Sequence, residues 1–182
     1  MNDAPRTRLP KNRDFASPFS LTLTALQMHS KFASHVESLE ASLQRLLAMP
    51  PVKPDQLPSD VPPAGVYLIS EGERHIYVGR SNNLRRRMRR HGRPGATHRQ
   101  AALAFRMARE ATGNLKASYK TKGSRADLMA DPKFSAAFAR AKERIRHMDL
   151  RFVGEPEPTR QALLEIYVAV VLGTPYNDFD TH

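Results

Sequence analysis

The residues from Leu84 to His91 read Leu-Arg-Arg-Arg-Met-Arg-Arg-His, and wound as a helix they put Leu84, Met88 and His91 on one side. Arg87 and His91 form an i, i+4 pair beside that apolar face, while Arg85, Arg86, Arg89 and Arg90 point outward. A charge run is usually a solvated face. Here, however, no acidic residue occurs between Arg74 and Glu110 to neutralise the eight arginines of residues 80–99, so as a group they read as phosphate contacts. The stretch contains no aromatic residue for base stacking. Glu165 is a second anomaly, the only charged side chain in the apolar run Ala162 to Leu172. Burying a lone carboxylate is costly unless a cation meets it. Two partners fit: one of the many arginines, or a divalent cation held by oxygen ligands and shared with a phosphate. A third feature is the pair of tripeptides Gly65-Val66-Tyr67 and Tyr77-Val78-Gly79, which place a tyrosine in each of two adjacent strands.

These side chains need elements to position them. Gly65 to Ser70 and His75 to Gly79 are short, β-branched and aromatic, and the polar turn Glu71-Gly72-Glu73-Arg74 between them predicts a β-hairpin. Asn82 or Asn83 is placed to cap a helix from Leu84 to His91, which Gly92 and Pro94 end. Residues 98–148 are rich in Ala and Arg with helical periods, interrupted around Gly113 and Gly123 and before Pro132, and predict two or three helices. Met148 to Val153 predicts a third strand, and Thr159 to Leu172 a closing helix.

Upstream, Phe32, Val36, Leu39, Leu43, Leu46 and Leu47 recur at spacings of three and four and predict an amphipathic helix over 30–49. It packs on its own domain or, since Val36, Leu39, Leu43 and Leu46 fit an a/d pattern for about two heptads, serves self-association. Residues 1–29 read as a mobile tail and lead-in. Six of the 14 prolines fall in 50–63, which predicts an extended spacer before a domain over 64–182.

The chain of 182 residues has 29 Lys+Arg against 18 Asp+Glu, a formal charge of +11. The excess is local: residues 61–110 hold eleven basic and three acidic groups, so a polyanion site belongs in the middle third. With 40% hydrophobic and 26% charged residues, the composition is that of a folded soluble protein. With no cysteine, disulfides and Cys-ligated metal sites are excluded, and a cytoplasmic setting is expected. The most apolar run, eleven residues including Glu165, is too short to span a membrane. Nucleotide-binding GxGxxG and GxxxxGK[ST] strings are absent, as is HExxH.

In order along the chain stand Gly-Val-Tyr, Tyr-Val-Gly-Arg, Leu84 with Arg87 and His91, then Glu165 and Pro175-Tyr176-Asn177. This set resembles the GIY-YIG endonuclease family over residues 62–92 and 148–178. The resemblance implies an α/β fold, a small antiparallel sheet of about three strands flanked by helices, and a divalent-metal-dependent endonuclease acting on DNA, with RNA not excluded. It implies that Tyr67 and Tyr77 are active-site hydroxyls, that Arg87 contacts the scissile phosphate, and that Glu165 binds Mg²⁺ or Mn²⁺. His91 resembles a histidine near the nucleophile, Arg80 a basic position after the second tripeptide, and Asn177 an asparagine that closes the site. Gly65 and Gly79 are its structural glycines. Valine replaces isoleucine in both tripeptides, and the helical segment 95–147 is an insertion relative to a minimal family domain.

Phosphodiester hydrolysis is the chemistry these residues support, with Arg87 as a forked donor to charge on phosphorus. Tyr67 is a poor base at its ordinary pKa, so Arg87, His91 and a metal must depress it, or His91 must relay the proton. The competing reading is a non-catalytic nucleic-acid-binding module with Glu165 in a salt bridge. Membrane attachment is weaker, because the arginine helix offers only Leu84 and Met88 for insertion.

Overall fold

Residues Gly65 to Ser70 are buried without exception, which a strand sustains when both of its faces are covered. In the computed structural model, which describes residues 28–114, 123–177 and 179, this strand, β1 (Gly65–Glu71), is the middle of a three-stranded antiparallel sheet. β2 (Arg74–Ser81) lies on one side and β3 (Asp149–Gly154) on the other. Side chains alternate along β1. Val66 and Leu68 enter one core, Tyr67 and Ile69 the other.

The Tyr67 face is covered by α3 (Leu84–Gly92), α4 (Ala102–Ala111) and α6 (Pro132–Arg146), with the short α5 (Arg125–Ala130) packed on α6. Segment 95–147 thus supplies three helices. They bury Phe105, Phe134 and Phe138, the first two with ring centroids 5.0 Å apart, in the core that Tyr67 shares. Part of that segment, residues 115–122, lies outside the described residues, as does the expected tail up to residue 27.

The opposite face is covered by α2 (Leu39–Ala48) and α7 (Pro158–Leu172), with α1 (Ser30–Val36) against α7. The single helix expected over 30–49 is divided by a turn at Glu37 and Ser38, which separates α1 from α2. Leu39, Leu43 and Leu46 are buried against Val66 and Leu68, so the stripe that could have served self-association is occupied by the protein's own sheet. Phe32, counted in that stripe, is 48% exposed. α7 begins at a Glu157 cap and ends at Gly173 in the left-handed conformation.

Residues 50–63, expected as a spacer, are fastened along the body. Val52 and Leu150 exchange backbone hydrogen bonds of 2.9 and 2.8 Å on the outer edge of β3. Lys53 Nζ donates to Asp149 at 2.7 Å, Leu57 enters the core, and the Pro63 carbonyl accepts from Leu84 N–H at 3.0 Å. Among the described residues no helix is long and apolar enough to cross a membrane.

Candidate active site

The two tyrosines reach one face by regular alternation, Tyr67 paired with Gly79 and Tyr77 with Ile69. A bulge follows, since Ser70 pairs with His75, and it leaves Ile76 as the extra residue, so that Ile76 and Tyr77 both pack on the Tyr67 core. Their ring centroids lie 6.2 Å apart. Two adjacent apolar residues in His75-Ile76-Tyr77 are the only trace of that bulge in the sequence.

Both tripeptide glycines are steric requirements. Gly79 stands across from Tyr67, whose ring lies over it: a Cβ there would sit 2.4 Å from the phenol oxygen. At Gly65, with φ +155°, a Cβ would lie 2.0 Å from the Val153 carbonyl oxygen.

Asn83 caps α3, its side chain accepting from Arg86 N–H at 3.1 Å, while Asn82 accepts from Gln161 Nε2 at 3.0 Å. Leu84 and Met88 are buried, and the same face carries His91 beneath Tyr67. His91 Nε2 lies 2.6 Å from Tyr67 Oη, to which Arg87 Nε also donates at 3.1 Å. Arg87 Nη1 donates to the Gln100 carbonyl at 3.1 Å. That carbonyl has no side-chain signature and was not foreseeable from sequence.

His91 is wholly buried, and burial followed by the Arg87 charge holds its imidazole down at about 3, so it is neutral at pH 7. Its Nδ1 has no hydrogen-bond partner among the described residues. Tyr67 is equally buried, and desolvation, followed by Tyr77, pushes its phenol well above the ordinary value despite Arg87. Of the two routes expected for Tyr67, a depressed pKa is not found in the free protein, where loss of water outweighs one guanidinium.

Glu165 projects from α7 toward β2. Arg80 Nε donates to its Oε2 at 2.9 Å, with the two side chains 46% and 22% exposed respectively. Burial raises the Glu165 pKa and Arg80 opposes the rise. Arg80, expected on phosphates, thus stands on the carboxylate, and Glu165 is half-buried rather than sealed in the core. The described residues include no cluster of three or more His, Asp or Glu side chains fit to hold a metal.

Asn177 closes the exposed edge of β2. Its Oδ1 accepts from Val78 N–H at 2.9 Å and its Nδ2 donates to the Val78 carbonyl at 2.8 Å, fixing the residue between Tyr77 and Gly79. Of the outward arginines, Arg86 and Arg89 are exposed, Arg90 is half-buried, and Arg85 donates to the Pro58 carbonyl. With Asn83 and Arg93 they line a concave basin of about 350 Å³.

A small antiparallel sheet thus presents two tyrosines to an arginine and a histidine of one helix, with a carboxylate delivered from α7. Residues 63–123, about a third of the chain, match the family model for the GIY-YIG catalytic domain, which indicates a nuclease-type fold. The matched stretch ends before β3, so Glu165 and Asn177 lie beyond it and meet the hairpin through Arg80 and Val78. No curated protein and no solved structure matches the chain.

Proposed function

We propose that this protein is a divalent-metal-dependent endonuclease that hydrolyses phosphodiester bonds of DNA, in a cytoplasmic setting. The observation that carries the reading is the convergence of Arg87 and His91 on the buried Tyr67 hydroxyl, with the Glu165 carboxylate near enough to act on that phenol electrostatically. A packing pair of tyrosines needs neither a guanidinium nor a neutral imidazole on one oxygen.

In this reading Arg87 is held by Tyr67 and the Gln100 carbonyl so that its remaining N–H groups meet a phosphate in a fixed orientation. Tyr67 Oη orients the attacking water. Because Tyr67 resists ionisation, its Oη takes up the water's proton as its own passes to His91 Nε2, 2.6 Å away, so that hydroxide is delivered to phosphorus and no free phenolate forms. His91 becomes the better acceptor once a phosphate neutralises Arg87, since that charge is one of the two causes of its low pKa.

One half-buried carboxylate suits Mg²⁺ or Mn²⁺ better than a closed site, because Mg²⁺ keeps several waters and takes one or two carboxylates together with substrate phosphates. Glu165 would hold the ion, which supplies Lewis-acid stabilisation of the phosphoryl oxygens when bound. The deciding experiment is incubation of wild type and Glu165→Gln with supercoiled plasmid in Mg²⁺, Mn²⁺ or EDTA. Wild type should nick plasmid only with metal, and Glu165→Gln should bind DNA without nicking it. Binding by wild type with no cleavage in either metal would overturn the endonuclease in favour of a nucleic-acid-binding module.

A further inference from the structure

The five arginines of α3 and its C-cap that line the basin do not surround Arg87. An α-helix turns about 100° per residue, so Arg87 and Arg89 point roughly 200° apart. Their surroundings agree: Arg87 reaches Tyr67 and Gln100, whereas Arg85 reaches Pro58 and Arg89 faces Pro54 and Asp55. By the same rotation Arg90 and Arg86 lie between the two flanks, forming a basic belt from the reacting side of α3 to the side covered by residues 54–58.

Two concavities meet on that belt. The basin of about 350 Å³ has five arginines and Asn83 as its lining. A second, of about 400 Å³, shares Arg89 and Arg93 with it and continues to Pro54, Asp55 and Arg146. Gly92 lets this end of α6 close in, since a Cβ there would stand 2.9 Å from the Arg146 Cα. Asp55 is the one acidic residue in the two linings, and its carboxylate lies 3.9 Å from Arg146 Nε with both side chains about half exposed. A single phosphate needs no such length. A polymeric anion does, and it must cross a helix about 10–12 Å wide, which at about 3.4 Å per nucleotide takes about three to four nucleotides.

We propose that this groove is a second nucleic-acid site, in which Arg93 and Arg146, with Arg89, hold the phosphodiester backbone that flanks the segment at Arg87. The assignment rests on the nuclease reading for the identity of the polymer, but its test does not depend on cleavage. Binding of a fluorescent duplex of about 20 base pairs is measured by anisotropy in EDTA over a series of salt concentrations, for wild type, Arg93→Ala/Arg146→Ala and Arg93→Lys/Arg146→Lys. Loss of two phosphate contacts should flatten the log–log salt slope by about 1.8, and the lysine pair should recover most of it. Arg93→Glu, a single exposed substitution, serves the same comparison should the double alanine variant melt early, and should flatten the slope by about 1 or more. A wild-type slope in the alanine pair, or in Arg93→Glu where that variant replaces it, would overturn the proposal. So would lost binding to vesicles of anionic lipid with DNA binding intact, which would assign the groove to a membrane surface. A protein that never nicks plasmid but shows the flattened slope would lose the endonuclease reading and keep the groove.

Discussion

His91 makes the stability of the fold depend on pH in a way that one substitution should remove. Its native imidazole is held at about 3 by burial and Arg87, whereas the unfolded value is near the ordinary 6.5. Below about pH 6.5 the unfolded chain takes up a proton that the native protein refuses, so stability is full above that pH and is lost as pH falls toward 3. Between about pH 7.5 and pH 5 the linkage integrates to about 2 kcal/mol, or a melting shift of roughly 4–8 °C for a protein of this size. His91→Gln retains a polar group toward Tyr67 and cannot titrate. His75 and His98, whose pKa values are also lowered, and Glu165, whose pKa is raised, are present in both proteins and cancel in the comparison. Urea melts at several pH values across this window should therefore show wild type losing about 2 kcal/mol more than His91→Gln. Parallel curves would mean that His91 is charged in the native state, and the proton route through its Nε2 would fall with that result.

Three further outcomes follow from the same contacts. Gly79→Ala drives a methyl into the Tyr67 ring and should cost about 1–3 kcal/mol in urea melts together with nicking activity; a fully stable variant would show that Tyr67 moves freely. Asn177→Ala frees both polar groups of Val78 and should cost about 1 kcal/mol, and hydrogen exchange at the Val78 amide should quicken; a protected amide would mean that another group pairs that edge. Glu165→Gln should stay within about 1 kcal/mol of wild-type stability in EDTA, because its partner Arg80 is 46% exposed and is not stranded in the core; a loss of about 3–5 kcal/mol would show that the ion pair is a buried structural one.

What could be read from the sequence was what local periods and turn chemistry encode. The hairpin, α3 with its Leu84, Met88 and His91 face, β3 and α7 all appear where spacing put them, because each is fixed by neighbours within a turn or a strand pair. The proline-rich stretch misled for a local reason as well. Prolines describe how residues 50–63 run but not what they touch, and Val52, Lys53, Leu57 and Pro58 each find a partner remote in sequence. The choice between a depressed Tyr67 pKa and a relay through His91 was illegible for a related reason, since the nearby charges could be read while the complete burial that outweighs them could not.

The Arg80 to Glu165 pair shows where the limit lies. The two residues are 85 positions apart, and among 29 basic residues no local pattern selects Arg80. The strand register selects it. Arg80 pairs across the sheet with Val66, a residue of the core under α7, so alternation sends its side chain to the α7 side while neighbouring Gly79 receives Tyr67 on the α3 side. Consecutive residues of β2 thereby serve the two halves of the site: Gly79 admits the phenol that gathers Arg87 and His91, and Arg80 holds the carboxylate that would take a cation. A one-residue slip of β2 would exchange those roles and close the space for Tyr67. Asn177, bonded to Val78 on the exposed edge, is positioned to resist that slip, which ties the closing segment after α7 to the geometry of the site.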